Sequence, residues 1–318
     1  MNTKSCYNER HFMNLLPARV GVLTLACLLM ISFSLLSCTE STQDGSTDGE
    51  GKTVKLAYAN WAEGVALSNL AAVVLEDKLG YEVVTKMTPV ANVFDLVASG
   101  EYHFFTDVWL PKTHGSYMEA NADQVKKLGT VFQNAKTGLV VPEYVDISSI
   151  SELAGKADEY NGEIIGIDPT AGIMKSTRNA LESYNLEGFE LIETSGPVMA
   201  DSLRSAIMRR EPIILTGWVP HWIWAEFNIR FLEDPMEVFG QKENIFAIAN
   251  KNVLEDDNRA VTFFERFSLN RVQLSSLMSD IRMSDQLPTT VARKWVMDNQ
   301  AIVNDWVHNI KPKREKVY

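Results

Sequence analysis

The segment 54–108 reads VKLAYANWAEGVALSNLAAVVLEDKLGYEVVTKMTPVANVFDLVASGEYHFFTDV, and strand-like runs alternate in it with helix-like runs. Short runs rich in β-branched and aromatic residues predict strands, whereas apolar residues at helical spacing predict helices. On this basis we expect strands at 54–58, 81–85 and 102–108 and helices at 65–78 and 93–99. The order β, α, β, α, β predicts parallel strands with helices packed on both faces of a sheet.

The same order of elements returns in the second half of the chain, which indicates a second unit of the same kind. Its predicted elements are strands at 163–167, 190–193 and 213–217 and helices at 172–184 and 197–209. Extended apolar stretches at 139–142 and 245–249 flank this unit, and we interpret them as two crossovers. The tail, roughly 258–307, has a helical pattern and would return to the first unit.

These patterns predict an α/β fold of two βαβ lobes joined by two crossovers, with a cleft between the lobes. The predicted boundaries place the first part of lobe 1 at 54–140, lobe 2 at 141–244, and the return to lobe 1 with its C-terminal helices at 245–318. A fold of this kind closes on a small solute by a hinge. The alternative is a single doubly wound domain of about 250 residues, a size that one domain can reach.

The N-terminus, 1–37, has the pattern of an export signal. Basic residues precede a mainly apolar run at 20–36, and Leu35-Leu36-Ser37-Cys38 ends that run with small residues. This ending is similar to a bacterial lipobox, which predicts cleavage before Cys38 and a lipid on its thiol. The alternative is a transmembrane helix, because the 17 residues of 20–36 reach the lower length limit for spanning a bilayer.

The polar stretch 38–53 would be a flexible tether, since it is rich in Ser, Thr, Gly, Asp and Glu and has no apolar periodicity. We therefore expect an exported lipoprotein that is anchored to a membrane, in the periplasm or on the outer face of the cell.

Composition and missing motifs exclude several classes of function. Without 1–37 the chain has 27 basic and 40 acidic side chains, a net charge of −13, whereas a nucleic-acid interface needs a basic face. Only one of the three cysteines would remain, so no disulfide or thiolate metal site is expected. The nucleophile elbow, the His-Glu-x-x-His metal motif, the EF-hand loop and the dinucleotide-binding glycine motif are all missing. We expect neither a cofactor nor an enzyme.

Three tryptophans stand where predicted strands hand over to loops: Trp61, Trp109 and Trp218. Open α/β sheets bind ligands at the carboxyl ends of their strands. The faces of aromatic rings attract a quaternary ammonium group without a counter-charge. We therefore expect these three side chains to form a cage for a cation, in a protein that binds its ligand without changing it.

A second group of residues suits an anion. Gly172 and Ile173 open a predicted helix directly after a strand, so their backbone amides would be free donors at the positive end of the helix dipole. His114 follows Trp109 by five residues and would reach the same loop to donate to a carboxylate. The alternatives are that Asp168 only caps a structural turn and that His114 is a solvated loop residue.

Five ordered segments together resemble the glycine betaine and proline betaine substrate-binding proteins of ABC-type osmoprotectant transporters. They are spread over about residues 54 to 308. The segments are Asn60-Trp61-Ala62-Glu63-Gly64, Asp107-Val108-Trp109-Leu110-Pro111-Lys112-Thr113-His114, Gly138-Leu139-Val140-Val141-Pro142, Gly166-Ile167-Asp168-Pro169 with Ala171-Gly172-Ile173-Met174, and Thr216-Gly217-Trp218-Val219-Pro220-His221-Trp222.

This resemblance implies a type II periplasmic-binding fold in which three tryptophans surround the trimethylammonium group, with Trp61 and Trp109 from the first lobe and Trp218 from the second. It also implies that the amides of Gly172 and Ile173 and the side chain of His114 hold the carboxylate, and that the protein delivers its ligand to an ABC permease and its ATPase. One position departs from the pattern. Relatives commonly have glycine where this chain has Thr170, and a β-branched residue resists positive φ.

Three other readings stay open at this point. The ligand would be choline or carnitine if the cage reads only the methylated head group. An extracytoplasmic enzyme acting on a betaine would use His114 or His221 as base and Asp107 as its orienting partner. A ligand-sensing subunit without a transport role would have the same site.

Overall fold

The structure, a computed structural model, describes residues 53–256 and 258–311, with only the backbone described at 254–256. The predicted signal 1–37, Cys38 and the predicted tether lie outside these residues, except for Thr53, which is the first residue of a strand. None of the helices within the described part combines the length and the apolar content needed to cross a membrane.

Strands and helices alternate within the two predicted units, 54–108 and 163–217, as the sequence predicts. In chain order the elements are β1 Thr53–Tyr58, α1 Ala62–Leu79, β2 Glu82–Met87, α2 Val90–Ala98, β3 Phe104–Leu110, α3 Gly115–Ala120, β4 Val125–Pro142, β5 Glu163–Ile165, α4 Gly172–Ser183, β6 Glu190–Ile192, α5 Gly196–Arg209, β7 Leu215–Val219, α6 Ile223–Glu226, β8 Ile229–Phe231, β9 Glu243–Asn250, α7 Lys251–Asp256, α8 Asn258–Arg266, α9 Arg271–Met283, α10 Pro288–Asp298 and α11 Gln300–Val307.

Helix α1 shows why the local patterns give these elements. It ends at Leu79 and is capped by Gly80, whose φ of 70° is left-handed and whose N–H donates to Glu76 O at 3.2 Å. Glycine adopts this conformation at no steric cost, so it ends helices well. The helix is buried on nearly every side, because it lies between the sheet and the C-terminal helices α9 and α10. It therefore holds the residue before it, Trp61, in a fixed place.

The strands of the described residues form a sheet in the order β2-β1-β3-β9-β4-β7-β5-β6, with β8 paired to β4. Strand β1 runs parallel to β2 and β3, and β5 runs parallel to β6 and β7, as the two βαβ patterns predict. The pairs that β4 makes with β7, β8 and β9 are antiparallel, and so is the pair of β3 with β9.

Strand β4 carries the chain from one half of the sheet to the other. Its residues 125–135 pair with β9, whereas residues 136–142 pair with β7 and β8. We call β1, β2, β3, β9 and 125–135 the first lobe, and β5 to β8 with 136–142 the second lobe.

The stretches interpreted from sequence as crossovers both lie in strands. Residues 139–142 are the second-lobe end of β4, and 245–249 lie inside β9 in the first lobe. The chain therefore returns between β8 and β9, before the predicted return at 245. The predicted lobe boundaries themselves stay predictions.

The C-terminal helices pack on the first lobe, as expected for the tail. Helix α8 contacts β4 and β9, and α9 and α10 contact α1. Buried rings join these helices to one another, with Trp295 stacked on Trp306 at 6.2 Å between ring centroids and Phe267 edge-on to Trp306 at 4.9 Å. Each aromatic ring of this kind removes a large apolar area from water when it is buried.

Candidate functional site

The three predicted cage tryptophans line one cavity between the lobes. Trp61 is the residue before α1, whereas Trp109 and Trp218 are the second-to-last residues of β3 and β7. Their exposed fractions are 6%, 2% and 3%. Since β3 belongs to the first lobe and β7 to the second, the two halves of the sheet bring their strand ends together at this point.

All six residues that the sequence predicts for ligand contact line this same cavity. These residues are the three tryptophans together with His114, Gly172 and Ile173. The cavity is also lined by residues that the sequence reading did not assign to it, namely Glu63, Thr113, Thr137, Ile167 and Ala171. The seventh predicted site residue, Cys38, lies outside the described residues.

Two of the indole rings are fixed by their own N–H groups. Trp109 Nε1 donates to Asp107 Oδ1 at 2.8 Å, and Trp218 Nε1 donates to Glu63 Oε2 at 2.8 Å. The second bond joins residues 155 positions apart and links the lobes directly. Because the N–H group of each of these two rings already has a hydrogen-bond partner, the apolar ring faces remain available to surround a ligand.

Glu63 and Asp107 are buried carboxyl groups, with exposed fractions of 1% and 0%. Burial raises the pKa of Glu63 well above its usual value, the charge of Asp107 raises it further, and the hydrogen bond from Trp218 opposes both. Burial likewise raises the pKa of Asp107 to about 7, opposed by the bond from Trp109. Near neutral pH the two groups together therefore retain a proton.

His114 is held in one orientation and one tautomer. Its Nδ1 accepts a hydrogen bond from the backbone N–H of Trp109 at 3.0 Å, and its ring stacks on Trp61 at 5.7 Å between centroids. Burial lowers the pKa of His114 to about 3, so the ring is neutral at physiological pH. The proton must then lie on Nε2, a buried atom with no partner among the described residues. The solvated-loop alternative for His114 is wrong, since its side chain is fully buried.

The loop that carries His114 is held in place by hydrogen bonds to Glu243, the first residue of β9. Glu243, 3% exposed, accepts from the N–H groups of Lys112 and Thr113 at 2.7 and 2.9 Å and from the Thr113 hydroxyl. This carboxylate is 131 positions from Lys112 in sequence, and no local pattern identifies it. It fixes the loop between Trp109 and His114 in front of the cavity.

Helix α4 points its N-terminus at the cavity. Gly172 and Ile173 are its first two residues, and no described residue accepts from their backbone amides. The preceding Ala171 offers no side-chain cap, so these donors remain for a ligand. A Cβ on Gly172 would lie 2.1 Å from the Thr113 carbonyl oxygen of the first lobe. Glycine is therefore needed where the two lobes meet.

Thr170 fits its turn without the strain that a left-handed conformation would bring. It is not among the residues with positive φ. Its N–H and hydroxyl both donate to Asp168 Oδ1, at 2.7 and 2.6 Å, and Tyr117 of α3 donates across the cleft to its carbonyl oxygen at 2.8 Å. Asp168 thus shapes this turn, as its alternative reading predicts, while the amides that follow it remain free.

His221 lies beside the cage and outside the cavity. Its ring meets the Trp218 ring edge-on at 4.8 Å, and its Nδ1 accepts from the Ile223 N–H at 3.1 Å. It lines a neighbouring, larger cavity, which is also lined by Trp61, Trp222 and Arg282. No group of three or more His, Cys, Asp or Glu side chains that could hold a metal ion occurs within 53–256 and 258–311.

Comparison with known proteins gives a consistent result. Over residues 52–298 the chain matches the family described as the substrate binding domain of ABC-type glycine betaine transport systems. It is 33% identical over 156 residues to the glycine betaine/carnitine transport binding protein GbuC of Listeria monocytogenes. That region covers 48% of this chain and 52% of the relative, so the match spans about half the length of GbuC.

Two solved structures are similar over most of the described chain. Lactococcal OpuAC, in its closed form complexed with glycine betaine, is 32% identical with a TM-score of 0.76, covering 80% of this chain and 99% of that chain. The glycine betaine/L-proline-binding protein ProX of Borrelia burgdorferi is 33% identical with a TM-score of 0.79, covering 81% and 97%. The predicted two-lobed periplasmic-binding fold is confirmed, and the alternative of one doubly wound domain is wrong.

Proposed function

The chain belongs to the family of substrate-binding domains of ABC-type glycine betaine transport systems, and we propose that it captures glycine betaine, or a closely related quaternary ammonium zwitterion, between its lobes. The observation that carries this proposal is the convergence of two unlike sets of groups on one cavity. Three indoles suit a methylated cation, and the His114 Nε2–H with the Gly172 and Ile173 amides suits a carboxylate.

The magnitudes are sufficient for capture from dilute solution. Each ring face contributes about 0.5–2 kcal/mol toward a desolvated cation, and each hydrogen bond to a charged group about 1.5–3 kcal/mol. The gross sum exceeds the roughly 8 kcal/mol of micromolar binding. The remainder offsets the lost freedom of the ligand and the cost of bringing the lobes together.

Titration calorimetry on the purified protein tests this function. The panel is glycine betaine, proline betaine, carnitine, choline and glycine. We expect micromolar binding of the methylated zwitterions and weaker binding of choline, which has no carboxylate to accept from His114. Glycine lacks the methylated head group and should not bind. An absence of binding for every quaternary ammonium compound would contradict the proposal.

We propose that the cavity binds without turnover. Among the described residues, neither histidine near the cage has Nδ1 free to act as a base, since His114 Nδ1 accepts from the backbone N–H of Trp109 and His221 Nδ1 from the backbone N–H of Ile223. Prolonged incubation with glycine betaine should therefore leave the ligand intact by mass spectrometry. Appearance of a demethylated product would support the enzymatic alternative instead.

We further propose that the protein delivers its ligand to an ABC permease with its ATPase, and that it is exported and anchored through a lipid on Cys38. Ligand contacts from both lobes favour the closed form, which is the form that a permease would recognise. The anchor is tested by fractionating cells that express Cys38→Ala. This variant should leave the membrane fraction, and membrane retention of the variant would argue against the lipid.

A further inference from the structure

The side chains of Glu63 and Asp107 form a pair of buried acids behind the cage. Glu63 is in the first turn of α1 and lines the cavity, and Asp107 is in the middle of β3. A Cβ placed on Gly64 would lie 3.0 Å from Asp107 Oδ2, which shows how closely the start of α1 approaches this carboxyl group. The two acids therefore share one buried space with two of the cage indoles.

We propose that this pair makes the site selective for charge: it places negative charge behind the indole rings, so that a permanently cationic head group binds in preference to an uncharged head group of the same shape. The inference rests on the proposed function, because it concerns the same cavity. It assigns Glu63 and Asp107 a role in specificity beyond holding the rings.

The hydrogen bonds supply no positive charge that would neutralise this pair when it ionises. Glu63 Oε2 accepts from Trp218 and Asp107 Oδ1 accepts from Trp109, and both donors are neutral indoles. Asp107 Oδ2 has no hydrogen-bond partner among the described residues. No ion pair within the described part of the chain involves either acid. A cation in the cavity would be the nearest compensating charge, and charges attract most strongly where water is excluded.

The other titratable groups around the cavity do not supply that compensation. His114, on the loop after β3, and His221, after β7, are both buried, and burial lowers the pKa of each to about 3, so both are neutral. Glu243 of β9 accepts from the backbone N–H groups of Lys112 and Thr113, and a carboxyl group cannot supply positive charge. The ligand carboxylate is bound at the other end, by neutral donors.

Proton linkage follows from this arrangement. With no ligand, the pair holds a proton near neutral pH, because burial raises the pKa of both groups. A bound cation stabilises the ionised forms, so binding lowers these pKa values and releases a proton. Affinity for glycine betaine must then rise as pH is raised from about 5 to about 8, a range in which the ligand has no titrating group.

The decisive experiment compares glycine betaine with tert-butylacetate, in which a carbon atom replaces the ammonium nitrogen. Titration calorimetry near pH 8 is run on the wild type, Glu63→Gln and Asp107→Asn. Each amide keeps a side-chain oxygen to accept from its indole, so the cage is retained. We expect each variant to lower the preference for glycine betaine at least about tenfold, with tert-butylacetate binding unchanged or tighter. Asp201→Asn, an exposed acid lining the neighbouring cavity, should not change the preference.

The pH dependence is the second readout, because a merely structural role would not change it. In the wild type, the binding heat should vary with the ionisation enthalpy of the buffer, and this variation should shrink in Glu63→Gln. Carboxyl carbon NMR of the wild type should show the pair titrating at lower pH once glycine betaine is added, whether or not a variant folds.

The outcomes separate the two proposals. If the variants weaken both ligands equally, or leave the preference intact, the charge role is wrong although the binding function stands. If the wild type binds neither glycine betaine nor any other quaternary ammonium compound of the panel, the proposed function fails and this inference fails with it.

Discussion

At the scale of single residues, the cage depends on rings whose polar edges are already bonded. Trp109 is bonded to Asp107 and Trp218 to Glu63, so each ring offers its face to the cavity in a fixed plane. A ring that is held before the ligand arrives loses little rotamer freedom on binding. Removal of one indole should therefore reduce the free energy of ligand binding by more than its contact area alone suggests.

We predict that Trp109→Ala and Trp218→Ala each weaken glycine betaine binding at least about tenfold, roughly 1.4 kcal/mol. Each change removes one cation–π contact and leaves a buried carboxyl group without its donor. Titration calorimetry measures the effect. Trp295→Phe, in the stacked pair of the C-terminal helices, is the matched control and should bind normally. Unchanged affinity in both cage variants would count against the cage.

His114 allows a sharper test, since it concerns one end of the ligand only. His114→Phe keeps a ring to stack on Trp61 and removes the Nε2–H donor. Loss of a hydrogen bond to a charged group is worth about 1.5–3 kcal/mol, so we expect glycine betaine to bind more weakly by roughly one to two orders of magnitude. Choline has no carboxylate and should be affected far less. Equal losses for both ligands would show that the loop had moved instead.

At the scale of elements, the start of α4 and the loop after β3 form the contact on which closure depends. Gly172 meets the Thr113 carbonyl oxygen, and Tyr117 of α3 bonds to Thr170 of the second lobe. These contacts lie directly beside the free amides of α4. The element whose amides are free to donate to a ligand is therefore the same element that the first lobe contacts.

We predict that Gly172→Ala weakens glycine betaine binding at least about tenfold while leaving the unfolding temperature of the ligand-free protein nearly unchanged. The added methyl group would lie far inside contact distance of the Thr113 oxygen, so the lobes cannot close fully. Such overpacking typically costs about 1–3 kcal/mol. Gly115→Ala is the control, because a Cβ there meets nothing within 4 Å. Normal binding by Gly172→Ala would show that the backbone near Thr113 shifts to make room for the added methyl group.

At the scale of the whole molecule, the residues that line the cavity come from both lobes, so a ligand bound there would stabilise the closed, folded protein by mass action. At a ligand concentration about 100 times Kd, the gain in the free energy of unfolding is about 2.7 kcal/mol. We predict that glycine betaine raises the melting temperature in a concentration-dependent way and that glycine does not. Differential scanning calorimetry measures both, and an equal effect of the two solutes would indicate a general osmolyte action.

The sequence by itself determined the class of fold, and it singled out six residues that the structure places around one cavity. Alternating apolar periods predicted the strands and helices, and Trp61, Trp109 and Trp218 stood out because each stands at the end of an apolar run. The family that five short segments predicted is confirmed over 52–298. These features are local: the backbone periodicity and the residues at strand ends can be read within a short window.

Only the tertiary structure decided how those contacts are held. The bond from Trp218 to Glu63 spans 155 positions, and Glu243 fastens a loop 131 positions away. The crossing of β4 between lobes also depends on which strands pair with each of its ends. Such partners are chosen by packing and burial of the complete chain, and residues far apart in sequence carry no mutual local pattern. The same burial raised the pKa of Asp107 to about 7, which no single stretch of sequence could indicate.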